Sequence, residues 1–198
     1  MLVTRVEELA KGKRRVWLEN QPPFVLYRGE VRQLQLSEGS EVSAEQYQEL
    51  LEAVLIPRAR KRAMHLLEQM DRTEAQLREK LARSEYPQAA VEAAVAYVKG
   101  FHYIDDYRYA CSYIRYRCDS RSSRQLAIEL ARRGVPRQVV EEAMEAEYSC
   151  EDEGEKIKRW MEKKHYDAAG AQQKERQRMY QFLMRKGFRT EDIMRYLT

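Results

Sequence analysis

Three stretches of the chain repeat one pattern of apolar and polar positions. They are "RTEAQLREKLARSEYPQAAVEAAV" from Arg72, "RSSRQLAIELARRGVPRQVVEEAM" from Arg121 and "KERQRMYQFLMRKGFRTEDIMRYL" from Lys174. In register, Leu77, Leu126 and Met179 share a position, as do Leu81, Leu130 and Leu183. Tyr86, Val135 and Phe188 follow, then Val91, Val140 and Ile193, then Val95, Met144 and Leu197. A separation of about fifty residues suits helical repeat units.

Each copy reads as two helices joined by a tight turn. Thr73 with Gln76 and Ser122 with Gln125 have the spacing of a capping box, in which hydroxyl and amide satisfy free backbone N–H groups at a helix start. The third copy has Glu175 near this place and lacks the box. Gly134 and Gly187 fall where a left-handed residue ends a helix, with Glu85 in the same place in the first copy. Pro87 and Pro136 fit the first turn of the next helix, and Thr190 is the expected cap in the third copy.

A further helix precedes each pair. Its apolar positions are Ala63, Leu67 and Met70, then Ala110, Tyr113 and Ile114, then Ile157, Trp160 and Met161. The pattern therefore predicts a mainly α protein with three-helix repeats over 57–104, 105–149 and 150–198. One such repeat buries little surface alone, so an end-to-end, elongated and curved array is expected.

Residues 1–56 read differently. "LVTRVEEL", "RRVWLEN" and "FVLY" are short β-rich runs separated by the turn-like "AKGK" and "QPP". A small two- or three-stranded sheet is expected, then a turn or helix through "RGEVRQLQL". A helix capped by Ser43 follows, and Pro57 marks the boundary of this N-terminal extension.

Charged residues make up 34% of the chain, which suits thin helical layers better than one thick core. Net charge is only +4, a weak pointer to an anionic partner. Neither a membrane-length apolar run nor a signal-peptide core is present, so a cytoplasmic protein without membrane partners is expected. Cys111 and Cys118, seven apart on one predicted helix face, read as small buried hydrophobes, and with Cys150 they make an odd set unsuited to a disulfide framework.

Candidate chemistry is sparse. His65, His102 and His165 are scattered, and neither a glycine-rich phosphate loop nor a G-x-S-x-G stretch occurs. Asp105 and Asp106 could hold Mg²⁺, but adjacent carboxylates at a helix start serve as cap and first-turn acid. No catalytic residue, metal or cofactor is expected.

Arginine changes the picture. Tyr107 to Arg137 contains eight arginines and no lysine, against only Asp119 and Glu129. Lysine would serve solubility equally well, so arginine alone points to fork-shaped recognition of phosphate or carboxylate. The best candidates are Arg115, Arg117, Arg121, Arg124, Arg132 and Arg133, joined by Lys61 and Arg62 from a second basic cluster. A third cluster holds Lys156, Lys158, Arg159, Lys163 and Lys164. Tyr103, Tyr107, Tyr109, Tyr113 and Tyr116 interleave with the arginines, and core packing is expected for at least half of these rings. A solvated helix face remains the alternative for the arginines. Basic stripes with acidic patches between them suit a partner of alternating charge or a nucleoprotein filament.

"YIDDYRYACSYI" followed by "QLAIELARRGVP" resembles the RecX regulatory proteins of bacteria. Ile104, Asp105, Asp106, Arg108, Tyr109, Ala110, Glu129, Leu130, Gly134 and Val135 occupy positions of the family pattern, and Ala63, Leu67, Thr73, Leu77, Lys80 and Leu81 match its upstream part. The resemblance implies a non-enzymatic protein that binds RecA, chiefly as the RecA filament on single-stranded DNA. It would lie in the helical groove and inhibit ATP hydrolysis, strand exchange and co-protease activity. A monomer with weaker affinity for bare DNA is expected. The alternative is a stand-alone DNA-binding module of helical repeats.

Overall fold

A computed structural model describes residues 1–148 and 153–197. The expected boundary at 149/150 and Cys150 lie outside the described residues. The chain divides into two compact units, Met1–Asp105 and Asp106–Thr198.

The first unit opens with three antiparallel strands in sequential order, β1 (Val3–Leu9), β2 (Lys13–Leu18) and β3 (Phe24–Tyr27). Val6 pairs with Val16 and Leu9 with Lys13, and the intervening turn places Lys11 and Gly12 in the left-handed region. Helix α1 (Arg28–Gln33) follows, then α2 (Ala44–Leu50), where Ser43 and Gln46 form the expected reciprocal cap.

Pro57 does not break the chain path. A π-helical stretch, Leu51–Leu55, carries α2 directly into α3 (Ile56–Gln69). The amide of Ile56 bonds back to the Leu51 carbonyl, and the wider turn accommodates a proline that lacks a donor and would crowd a normal turn. Met70 lies past the end of α3 with extended backbone and is 56% exposed, so the apolar face of this helix is Ala59, Ala63 and Leu66, with the expected Leu67 half-buried against the same core.

Helices α4 (Glu74–Ala82) and α5 (Gln88–Gly100) complete this repeat. One core spans it and the sheet, from Val3, Val16 and Phe24 to Leu77, Val98 and Ile104. Glu85 holds the left-handed position between α4 and α5 with φ 59°, where glycine would be easier. Its carboxylate receives both Nε and Nη2 of Arg15 from β2 at 2.5 Å, which gives a charged residue a reason to occupy this turn.

The second unit holds α6 (Asp106–Arg117), α7 (Ser123–Arg132) and α8 (Arg137–Glu147), then α9 (Glu153–Lys163), α10 (Gln173–Arg185) and α11 (Thr190–Leu197). Each trio has its own core, one around Ile114, Leu126 and Leu130, the other around Ile157, Leu183 and Phe188. Of the fifteen positions in the repeat register, all are buried except Tyr86 and Met144, which are half-buried. The protein is thus mainly helical, with three three-helix repeats and a small N-terminal sheet.

Local signals shift by a residue in places. Pro87 and Pro136 occupy the cap positions just before α5 and α8, and Thr190 is the first residue of α11 rather than its cap. In the third repeat the Glu175 carboxylate accepts the Gln172 backbone amide at 3.0 Å and the Glu175 amide bonds the Gln172 carbonyl, so this helix start is closed without a capping hydroxyl. Gly134 and Gly187 are left-handed, with φ 81° and 91°. Cys111 is buried and Cys118 half-buried.

Candidate arginine-rich interface

The second repeat gathers four of the predicted arginines around one carboxylate. Tyr113 on α6 and Arg117 one turn later line a shallow groove with Glu129, Arg132 and Arg133 from α7. Arg133 and Arg117 lie over the Tyr113 ring at 4.7 and 5.0 Å, and Arg133 Nη1 donates to the Tyr109 hydroxyl at 3.1 Å. Tyr109 and Tyr113 stack 6.3 Å apart, one helical turn from each other.

Glu129 is the electrostatic centre. It accepts the Tyr113 hydroxyl at 2.5 Å and the Gln125 amide at 3.0 Å, and Arg121 Nε lies 3.3 Å away. Burial pushes its pKa up, but these donors and the Arg121 and Arg117 charges hold it below the ordinary carboxylate value. The Tyr113 hydroxyl is raised, by burial first and then by its bond to Glu129. One carboxylate does not neutralise four guanidinium groups, so the groove stays cationic.

The other predicted residues lie elsewhere. Arg115 faces α8 and makes a paired contact with Glu147, Nε and Nη2 both at 2.8 Å, so it does not join the groove. Arg124 is exposed on α7. Lys61 and Arg62 belong to the first unit, beside a cleft shared with Tyr27, Arg58, Glu85 and Tyr86. Asp105 precedes α6 and Asp106 opens it, while Ile104, Ala110 and Leu130 are buried. Arg108 is exposed. Of the five interleaved tyrosines only Tyr109 and Tyr113 pack against the core of the repeat; Tyr103, Tyr107 and Tyr116 are exposed, Tyr116 by 87%. Core packing therefore accounts for fewer of these rings than expected, because the apolar stripe of α6 is filled by Ala110, Cys111 and Ile114.

Sequence reasoning passed over Lys186. It is the C-cap of α10, and its backbone carbonyl accepts the Ser122 amide at 3.3 Å, which brings the third repeat against the start of α7. Its ammonium sits 4.1 Å from the Trp160 ring centroid. A cation at a helix C-terminus is an available local signal; the contact with another repeat has none. Glu153 on α9 adds a second link, accepting the Ser123 amide at 3.0 Å, the Ser123 hydroxyl at 3.1 Å and the Tyr148 hydroxyl at 3.3 Å. Among the described residues no helix is long and apolar enough to cross a membrane.

Comparison with known proteins matches all three repeats. Family models described as the first, second and third three-helix domains of RecX cover residues 59–97, 105–144 and 151–197. The regulatory protein RecX of Caldanaerobacter subterraneus subsp. tengcongensis is 30% identical over 199 residues, spanning 100% of this chain and 98% of the relative. That of Clostridium beijerinckii is 24% identical, over 96% of this chain and 91% of its own. A crystal structure of a regulatory protein RecX superposes with a TM-score of 0.63 at 22% identity, covering 99% of this chain and 98% of that one. RecX from Lactobacillus salivarius gives 0.59 at 19% identity, over 73% of this chain and 97% of its own, and both likenesses concern the fold. Matched in all three repeats and along its whole length, the chain belongs to the RecX family of regulatory proteins.

Proposed function

We propose that this protein regulates the RecA recombinase by binding the RecA filament on single-stranded DNA, lying in its helical groove. Bound there, it inhibits ATP hydrolysis, strand exchange and co-protease activity. It acts as a cytoplasmic monomer and without a catalytic step. Family membership supports a RecA-directed regulator.

The observation that carries the mode of binding is the groove of the second repeat, where Arg117, Arg121, Arg132 and Arg133 outnumber Glu129. Guanidinium forks can pair with carboxylates on a protein surface and with phosphate oxygens, so one cationic face suits a partner that displays both.

RecA ATPase on single-stranded DNA, titrated with this protein, tests the reading. Saturating inhibition is expected. Tight, salt-sensitive binding to bare DNA, with no added effect of the filament and no ATPase inhibition, favours the stand-alone DNA-binding module instead.

A further inference from the structure

We propose that the junction of the second and third repeats is a binding site for phosphate oxyanions, built by Arg121, Lys163, Lys164 and Lys186 around Trp160 and Phe182. It is independent of the recombinase reading, because it concerns phosphate itself.

The site is made by two helix ends. Lys163 and Lys164 come from the end of α9, and Lys186 from the end of α10. Lys186 Nζ lies 4.1 Å from the Trp160 ring centroid and 5.4 Å from that of Phe182. Lys163 shares Trp160 at 5.3 Å, and Lys164 shares Phe182 at 5.1 Å. Trp160 and Phe182 meet edge to face, 5.2 Å apart, so the ammonium groups sit around one aromatic pair. The Ser122–Lys186 backbone bond sets Arg121 alongside.

Folding thus assembles four cations in one place. The Lys186 ammonium is held below its ordinary value, by burial first and then by Arg121, Lys163 and Lys164. Glu129 opposes this, but it already answers Tyr113, Gln125 and Arg121. Ring faces soften the crowding without cancelling it, since a cation–π contact carries no countercharge. Trp160 Nε1 is buried with no hydrogen-bond partner among the described residues, and Arg121 Nε, also buried, has only its 3.3 Å ion pair with Glu129 there. A multiply charged oxyanion relieves the repulsion and takes several donors together. Trp160 and Phe182 are each shared by two ammonium groups, so the site offers charge ahead of a stacking surface. The contact is therefore to phosphate, and it carries no base sequence information.

The chain contains two tryptophans, so Trp17→Phe leaves Trp160 as the sole indole. Its emission is followed in the full-length protein during titration with oligothymidylate, tripolyphosphate or poly-glutamate at matched ionic strength. Anisotropy of labelled oligothymidylate is measured in parallel. A saturable change in emission is expected with oligothymidylate and with tripolyphosphate. A response to tripolyphosphate alone keeps the site and assigns it to free phosphates rather than a nucleic-acid backbone. Lys186→Gln should weaken binding at least fivefold and lower the slope of log affinity against log salt by about 0.7 for a single strand. If Lys186→Gln unsettles the fold, the Lys163→Gln/Lys164→Gln pair, on exposed positions, should likewise weaken binding and lower that slope by about 1.4 for two contacts. Equal or tighter binding of poly-glutamate overturns the proposal, as does oligonucleotide binding that leaves Trp160 and the lysine variants unaffected, or no response to either phosphate ligand. Neither measurement contains RecA, so failure here leaves the ATPase titration standing, and the reverse.

Discussion

Arg133 lies over Tyr113 with its guanidinium carbon 4.7 Å from the ring centroid. In the third repeat Lys186 over Trp160 occupies the corresponding place. Each cation immediately precedes the left-handed glycine that ends its helix, Gly134 or Gly187, and each ring comes from the first helix of the same repeat. A cation is favoured beside the free carbonyls of a helix C-terminus, and an aromatic face gives its stem and charge a surface to lie on. Two repeats of one unit thereby carry the same cation-on-ring arrangement. In the first repeat Ser84 and Glu85 stand there, and Glu85 binds Arg15 instead.

On the recombinase reading, charge reversal at the exposed Arg124 and Arg132 removes attraction without touching the core. Arg124→Glu/Arg132→Glu should need about tenfold more protein for half-inhibition of RecA ATPase, the effect of opposing charges in an interface. Its thermal midpoint should stay near that of the parent, because exposed substitutions cost within about 0.5 kcal/mol each. Full inhibition by this variant removes the exposed arginine face of α7 from the contact surface.

Glu129 should make stability depend on acid. Its folded-state pKa is depressed below the ordinary value of 4.5, because the donors around it outweigh burial. A depressed carboxylate contributes stability above its unfolded pKa and loses it as pH falls through the folded value. Glu129→Gln keeps the shape and removes that contribution. The variant should unfold at lower denaturant than the parent near neutral pH, and the gap should close as pH falls below 4.5. A gap constant over that range would mean the carboxylate charge is not what Tyr113 and Arg121 stabilise.

Gly187 is constrained in two ways at once. It has φ 91°, and a Cβ there would come within 2.5 Å of Ser122 Oγ and 2.6 Å of Gln125 Cβ. Left-handed backbone costs a side chain about 1–2 kcal/mol, and overpacking adds about 1–3 kcal/mol. Gly187→Ala should therefore lose about 2–5 kcal/mol in denaturant unfolding. Gly12→Ala is the control, with φ 70° and nothing within 4 Å, and should cost only about 1–2 kcal/mol. Equal losses would show that Gly187 is kept for its backbone alone and not for the close approach to Ser122.

What could be read in the sequence was whatever is local and periodic. Leu81, Leu130 and Leu183 announce a core because a helix returns the same face every turn, and Ser122 with Gln125 announces a helix start because three residues suffice to close the box. Gly134 and Gly187 mark turns by their freedom alone. The face was legible only as composition. Arg121 turns toward Glu129 while Arg115, six residues earlier, turns to Glu147, and which carboxylate an arginine meets depends on tertiary packing. The contact of Lys186 with Trp160 needs residues 26 positions apart, and bringing Arg121 beside them needs the seating of one repeat on another. The start of α10 was hidden because Glu175 reaches back to the Gln172 amide with no capping hydroxyl to announce it.

Lys156 isolates the cost of a buried charge. It is 1% exposed, its Nζ has no hydrogen-bond partner among the described residues, and it lies 4.0 Å from the centroid of the Tyr148 ring. Burial also pushes the Tyr148 hydroxyl well up, with Glu153 as the next cause, so the ring remains neutral and offers only its face. Removing an ammonium from water costs several kcal/mol, and a cation–π contact returns about 2 kcal/mol when desolvated. The balance is unfavourable to the charge, and methionine has a comparable unbranched reach without it. Lys156→Met should hold or raise the thermal midpoint, by the order of 1 kcal/mol in stability, whereas Lys156→Ala should lower it by leaving a cavity beside Tyr148. If the methionine variant instead melts several degrees lower, the ammonium is worth more to the joint between α8 and α9 than its solvation costs, and the second and third repeats are held together by charge on that side.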